Sequence, residues 1–134
     1  MKALKYSLLM ASTVAVFGVA NAEVVVVVNA KHPAASMTAA QVADVYLGKD
    51  SSFAPVDLTE SAPRETFYSK VAGKDSAQVK AIWARLVFTG KSQPPKEVGS
   101  SADAVKQVAG NDKGIAYVDK SAVDGSVKVV LTVQ

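Results

Sequence analysis

The residues whose types and spacing could bind a ligand in this chain are Ser61, Ala62 and Arg64. Ser61 follows turn-like residues and precedes an amphipathic stretch, so we expect it at the N-cap of a helix. The free N–H groups of a first helical turn, with the positive end of the helix dipole, favour small anions. Arg64 falls in that turn, and its guanidinium can form two hydrogen bonds with a carboxylate or a phosphate. The alternative is that Ser61 only caps its own helix.

Other chemistry has little support in the sequence. There is no cysteine, and His32 is the only histidine, which stands before Pro33 and is expected in a loop. A thiol nucleophile and a His/Cys metal cluster are therefore excluded, and neither a cofactor nor a metal is expected. Nothing in the sequence brings His32 to Ser61 as a catalytic pair, and Asp57 and Glu60 are expected to be solvated loop carboxylates. The sequence favours a protein that is not an enzyme, without catalytic residues.

The first 22 residues have the pattern of a cleavable signal peptide. Lys2 and Lys5 form a basic start, and an apolar stretch follows that is too short to span a bilayer. Ala20-Asn21-Ala22 matches an Ala-x-Ala cleavage site. We therefore expect one domain at residues 23–134, secreted to the periplasm without a membrane anchor.

The charge of the expected mature chain is nearly balanced. The whole sequence holds 15 basic and 12 acidic side chains, and two of the basic ones, Lys2 and Lys5, belong to the signal peptide. No basic tract or arginine-rich face remains, so nucleic acid is not an expected partner.

Hydrophobic periodicity predicts an α/β fold in the order β-α-β-α-α-α-β-β. The predicted strands cover 24–28, 53–58, 115–118 and 127–133, and the predicted helices begin near Thr38, Ser61, Asp75 and Ser100. Thr38 with Gln41 and Asp75 with Gln78 have the spacing of capping boxes. This alternation is typical of a mostly parallel sheet with helices on both faces, whose ligands bind beyond the carboxyl ends of the strands.

The hydrophobic pattern also predicts which residues two of these elements bury. The helix after Asp75 is expected to bury Val79, Ile82, Trp83, Leu86 and Val87, and the last strand is expected to bury Val127, Val129, Leu131 and Val133.

Four segments of the chain resemble the phosphate-binding, solute-binding proteins of ABC-type phosphate uptake. They are Met37 to Lys49, Ser61 to Phe67, Gly99 to Val105, and Gly114-Ile115-Ala116-Tyr117-Val118. The resemblance covers one lobe of a protein about twice this size, whose two lobes close on the anion. It implies a single-lobe periplasmic-binding-protein-like domain that binds phosphate or a similar oxyanion. It also implies a homodimer or second-lobe partner and an ABC transporter membrane component.

The chain departs from that family inside the motif. Asp57 and Thr59 stand where the family has an arginine and an aspartate, and Ala62-Pro63 replaces its Gly-Thr pair. Pro63 has no N–H to donate, so only Ser61 matches the family's site residues. An alternative hypothesis follows, in which the domain is a ligand-free scaffold that acts through protein–protein interaction in the periplasm.

Overall fold

The computed structural model describes residues 23–59 and 61–133, so the expected signal peptide lies outside the described residues. Within these ranges, no helix is long and apolar enough to cross a membrane. The strands are β1 Val24–Asn29, β2 Ala54–Leu58, β3 Lys96–Val98, β4 Gly114–Asp119 and β5 Val127–Val133. The α-helices are α1 Ala39–Tyr46, α2 Ala62–Phe67, α3 Ser76–Phe88 and α4 Ser101–Ala109.

The five strands form one mixed sheet in the order β3-β2-β4-β1-β5. Strand β2 pairs in parallel with β3 and β4, whereas β1 pairs antiparallel with β4 and β5. Four strands therefore run in one direction and β1 runs against them. The predicted mostly parallel α/β sheet is confirmed, and the valines of β1 are buried between two neighbouring strands, as their apolar run predicts.

Helices cover both faces of the sheet. Gly114 at the start of β4 approaches α4, and a Cβ atom added there would lie 2.8 Å from the Cα of Val108. Tyr117, an odd number of residues later in the same strand, points to the opposite face. There its ring stacks on Phe67 of α2, with the two centroids 4.2 Å apart.

Both predicted capping boxes are present. The Thr38 hydroxyl accepts a hydrogen bond from the Gln41 amide, and the Gln41 side chain accepts one from Thr38 in return. Asp75 and Gln78 do the same at the start of α3. These reciprocal bonds satisfy the donors that a helix start leaves free, which explains why the helices begin at the predicted residues.

The helix predicted to begin at Ser61 is not regular along its length. It is α-helical only to Phe67, and a π-helical turn at Tyr68–Ala72 follows. Gly73 ends it with a φ of 67°, a left-handed conformation that glycine adopts without strain. The π-helical turn contains Tyr68, which is buried in the core.

The predicted buried face of α3 is wrong in part. Only Val79 and Trp83 are buried in this helix, while Ile82 and Leu86 are half-buried and Val87 is exposed. The indole N–H of Trp83 donates to the carbonyl oxygen of Tyr46 over 2.7 Å. Fewer side chains of α3 are therefore buried than its sequence predicts, and the C-terminal half of the helix borders an open groove.

The last strand departs from the predicted alternation because it contains a bulge. Val26 pairs with Leu131 and Val27 pairs with Val129, so Val130 is an extra residue on β5. The Val130 side chain is buried and its carbonyl accepts from the Met37 amide, whereas Val129 is exposed. The bulge reverses the side-chain pattern locally, and the expectation that Val129 lies inside is wrong.

Strand β3 is not among the strands that the sequence predicts. It is three residues long and pairs only with β2, so it carries too few residues for a periodic signal.

Candidate functional site

A buried carboxylate, Asp57, lies at the centre of the site. Asp57 is the next-to-last residue of β2, and the residue is only 4% exposed. The Tyr68 hydroxyl donates to its Oδ2 over 2.6 Å, and the Tyr117 hydroxyl donates a short hydrogen bond to its Oδ1. Both carboxylate oxygens thus have partners, which reduces the cost of burying the charge. The expectation that Asp57 is a solvated loop residue is wrong, because β2 brings it inside the sheet.

The tyrosines around Asp57 form a continuous polar and aromatic cluster with Phe67. The Tyr117 hydroxyl accepts from the Leu58 amide over 3.0 Å while it donates to Asp57. Burial, followed by the nearby negative charge of Asp57, raises the pKa of Tyr68 and the pKa of Tyr117 far above the usual value. Both hydroxyls therefore stay protonated and act as hydrogen-bond donors to the carboxylate.

Arg64 lies beside this cluster and is partly neutralised by it. Its Nε is 3.9 Å from Asp57 Oδ1, and its guanidinium carbon is 6.0 Å from the centroid of the Tyr68 ring. Burial, the largest single influence, would lower the pKa of Arg64, but Asp57, Tyr117, Tyr68 and Glu97 together outweigh it and the pKa is raised. The Nε–H of Arg64 is buried and has no hydrogen-bond partner among the described residues, since Asp57 is too distant for a hydrogen bond.

Ser61 occupies the N-cap position of α2, as predicted, but its side chain does not cap the helix. The Ser61 Oγ is buried and has no hydrogen-bond partner within the described part of the chain. Ala62 is exposed at the first helical position, and Pro63 follows it without an N–H group. The helix start therefore offers one hydroxyl and fewer backbone donors than a regular first turn.

The three predicted site residues share the first turn of α2, but they differ in whether they line a groove. Arg64 and Asp57 line a groove of about 310 Å³ between α3 and the prolines before β3. Ser61 and Ala62 are not among the residues that line it. A second groove of about 420 Å³ lies on the other side of Trp83 and contains none of the predicted site residues.

His32 lies in a loop, as expected. Its ring stacks on Phe53 at 5.0 Å, and its Nδ1 accepts a hydrogen bond from the Ala34 amide. In residues 23–59 and 61–133, no three His, Cys, Asp or Glu side chains are placed to hold a metal ion.

The sequence reasoning missed the Asp57–Tyr68–Tyr117 cluster. One signal was available, because Asp57 stands between Val56 and Leu58 in a segment predicted to be a strand. A charged residue inside an apolar strand needs buried partners. The identity of those partners was not accessible, since Tyr117 is brought to Asp57 only by the pairing of β2 with β4.

The sheet order and the helices on both faces are those of one lobe of the periplasmic-binding-protein-like fold. No family model and no curated protein matches the sequence. Solved structures do match the fold, and the three that follow are described as phosphate transport or phosphate-binding proteins, the family that the four sequence segments resemble.

Three such structures are similar to this chain. One is an ABC-type phosphate transport receptor from Vibrio cholerae, with a TM-score of 0.61 and 20% identity. Another, from Clostridium perfringens, is described as a phosphate ABC transporter substrate-binding protein with bound phosphate, with a TM-score of 0.66 and 20% identity. The third is a possible phosphate binding protein from Planctomyces limnophilus DSM 3776, with a TM-score of 0.55 and 14% identity.

The match covers most of this chain and less than half of each neighbour. It spans 81% of the chain here, but 44%, 45% and 40% of the proteins from C. perfringens, V. cholerae and P. limnophilus. This agrees with the single lobe inferred from the sequence. The neighbours are described as transport and phosphate-binding proteins rather than enzymes, and at this identity the likeness shows the fold alone.

Proposed function

We propose that this protein is a periplasmic, non-enzymatic binding protein that holds phosphate or a similar small oxyanion at Ser61, Ala62 and Arg64. The observation that carries the proposal is a pair of buried, unsatisfied groups in one helical turn. The Ser61 hydroxyl and the Arg64 Nε–H have no hydrogen-bond partner among the described residues. Buried polar groups in native proteins are nearly always paired, so two such groups at a helix start suggest a missing acceptor.

The acceptor that fits these groups is an oxyanion. Both groups can donate, and the backbone amide of Ala62 at the first helical position can donate as well. The Ser61 Oγ and the Arg64 Nε both have almost no accessible surface, so both side chains must move outward for an anion to reach them. The fold shared with phosphate-binding transport proteins supports the same ligand class.

Binding by one chain alone should be weak. Three charge-assisted hydrogen bonds at roughly 1.5–3 kcal/mol each give about 5–9 kcal/mol, and lost freedom of motion costs at least about 4 kcal/mol. The remainder, about 1–5 kcal/mol, corresponds to a dissociation constant in the millimolar range or weaker. Asp57 weakens the binding further because its negative charge repels an anion beside Arg64.

A second protein surface would supply the missing donors. This chain spans less than half of its phosphate-binding neighbours, so a homodimer or a separate second-lobe partner could close over Ser61. Coupling to phosphate uptake would further require contact with the membrane component of an ABC transporter.

The test is an NMR titration of residues 23–134 with inorganic phosphate at constant ionic strength. Progressive shifts of the Ala62 and Arg64 amide signals with a millimolar dissociation constant are expected. Ser61→Ala and Arg64→Ala should each weaken binding by roughly tenfold or more, the equivalent of one charge-assisted hydrogen bond.

Matched variants distinguish the site from a general electrostatic effect. Ser100→Ala removes a serine that caps another helix, α4, and Arg85→Ala removes an exposed arginine of α3. Both should bind phosphate as the unaltered chain does. Equal weakening by Arg85→Ala and Arg64→Ala would contradict the proposed site.

The second candidate function is a ligand-free scaffold that acts through protein–protein interaction. It is favoured by the Asp57–Arg64 ion pair, which already supplies the arginine with a counter-charge, and by the missing donor at Pro63. No amide shift in phosphate or sulfate up to about 50 mM, beyond the millimolar range expected for three hydrogen bonds, would favour this function instead.

A further inference from the structure

The C-terminal end of α3 exposes large apolar side chains next to each other. Phe88 is 90% exposed and Val87 is 47% exposed. A phenylalanine with nearly its whole ring in water forgoes most of the burial that normally stabilises this side chain, and adjacent exposed apolar residues are typical of interaction surfaces. Val87 also lines the 310 Å³ groove described above, so Phe88 stands beside the rim of that groove.

The groove offers an apolar lining with no net charge. Its walls contain Val79, Trp83, Ala84, Val87, Pro94 and Pro95. Its four charged residues are two of each sign, since Asp57 pairs with Arg64, and Lys80 and Glu97 add one positive and one negative charge. A balanced, apolar groove of this kind can take an uncharged apolar occupant.

We infer that this groove binds Phe88 of a second copy of the chain in a two-fold symmetric dimer. The same surface carries the projecting side chain and the recess that fits it, which is the self-complementarity that a two-fold interface requires. Lys80, Ala84, Val87 and Phe88 recur at the spacing of one helical face, so two α3 helices would pack antiparallel along it. Ala84 lies in the middle of that face, where a small side chain allows close approach.

The charges on the groove are complementary across such an axis. Lys80 is on α3 and Glu97 is on β3, both are exposed, and no ion pair joins them in the described part of the chain. The dimer that we infer pairs Lys80 of each protomer with Glu97 of the other. This inference concerns the α3 face and does not depend on oxyanion binding at Ser61.

Sedimentation of the expected mature chain over a range of concentrations tests the role of Phe88. The unaltered chain should dimerise with a micromolar dissociation constant, because one helix face buries less area than a permanent dimer does. Phe88→Ser should raise that constant by at least roughly a hundredfold, since each dimer buries two phenylalanines. The control Val129→Ser alters an exposed valine on the distant edge strand β5 and should leave it unchanged.

Charge reversal identifies the contact as one between protomers. Lys80→Glu and Glu97→Lys should each weaken self-association, because each places like charges together at both ends of the interface. An equal mixture of the two variants restores both attractive pairs and should dimerise as the unaltered chain does. A pair formed within one chain would instead be restored only by the double variant.

Three results would overturn the inference. The first is a chain that is monomeric at about 1 mM, well above a micromolar dissociation constant. The second is a Phe88→Ser variant that dimerises like the unaltered chain. The third is a mixture of Lys80→Glu and Glu97→Lys chains that stays monomeric. Circular dichroism confirms that each variant is folded, and all three altered residues are exposed.

Discussion

Replacing Asp57 by asparagine should destabilise the fold severely, although the two side chains have nearly the same shape. Asp57 receives hydrogen bonds from Tyr68 and Tyr117 and has Arg64 as its ion-pair partner. Neutralising the acceptor weakens each tyrosine hydrogen bond by about 1 kcal/mol, the difference between charged and neutral partners. Arg64, whose side chain is only 11% exposed, also loses its counter-charge.

The loss at Arg64 is smaller than for a fully buried ion pair. Removing one partner of a buried pair costs about 3–5 kcal/mol. The 3.9 Å separation and the residual exposure of Arg64 reduce this to about 1–2 kcal/mol. The total for Asp57→Asn is therefore about 3–4 kcal/mol, a large part of the roughly 5–15 kcal/mol by which a domain is stable.

Urea unfolding of Asp57→Asn at neutral pH measures this free energy. Asp124→Asn is the matched control, because Asp124 also accepts two hydrogen bonds, both from Ser126, but is exposed on the surface. Its free energy of unfolding should change far less than that of Asp57→Asn. If the two variants lose the same stability, the buried cluster does not stabilise the fold through its charge, and the reasoning is refuted.

Two further predictions concern stability. Because the pKa values of Tyr68 and Tyr117 are raised, the folded chain keeps two protons that the unfolded chain releases above about pH 10. The free energy of unfolding should therefore be full below that pH and fall above it, by about 1.4 kcal/mol per pH unit for each tyrosine. Urea unfolding between pH 8 and pH 11, within the range where free tyrosine ionises, checks this, and a Tyr68→Phe/Tyr117→Phe chain should show a flatter decline. Gly114→Ala should cost about 1–3 kcal/mol, because its Cβ would meet the Val108 backbone at 2.8 Å. Gly110→Ala, whose Cβ meets nothing closer than 3.6 Å, should melt near the unaltered temperature, and equal losses would contradict the close approach.

Local sequence signals predicted the parts of the fold that depend on neighbouring residues. The starts of α1 and α3 followed from capping boxes, in which both partners lie within four residues of each other. The five valines of β1 predicted a strand with neighbours on both sides. Each of these features is decided by a short segment of the chain, so the sequence alone suffices.

The features that the sequence could not predict depend on distant contacts. The bulge at Val130 forms because β5 pairs with β1, and β3 is a strand only because β2 lies beside it. In the candidate site, Ser61 and Arg64 were found at the helix start as expected. Their surroundings were not predicted, because the acceptor Asp57 and its donor Tyr117 come from two strands and lie 60 residues apart in the sequence.

The position of β1 has a consequence for how the chain folds. Its five valines pair only with β4 and β5, the last two strands to be synthesised. Until those strands exist, the valine segment has no native neighbour and is a strongly β-forming, uncharged stretch of the kind that aggregates. Pairing of the first strand with the last two also gives the fold many non-local contacts, which slow folding. The core of the sheet can therefore form only after β4 and β5 have been synthesised, and the valines of β1 must stay shielded from other chains until then.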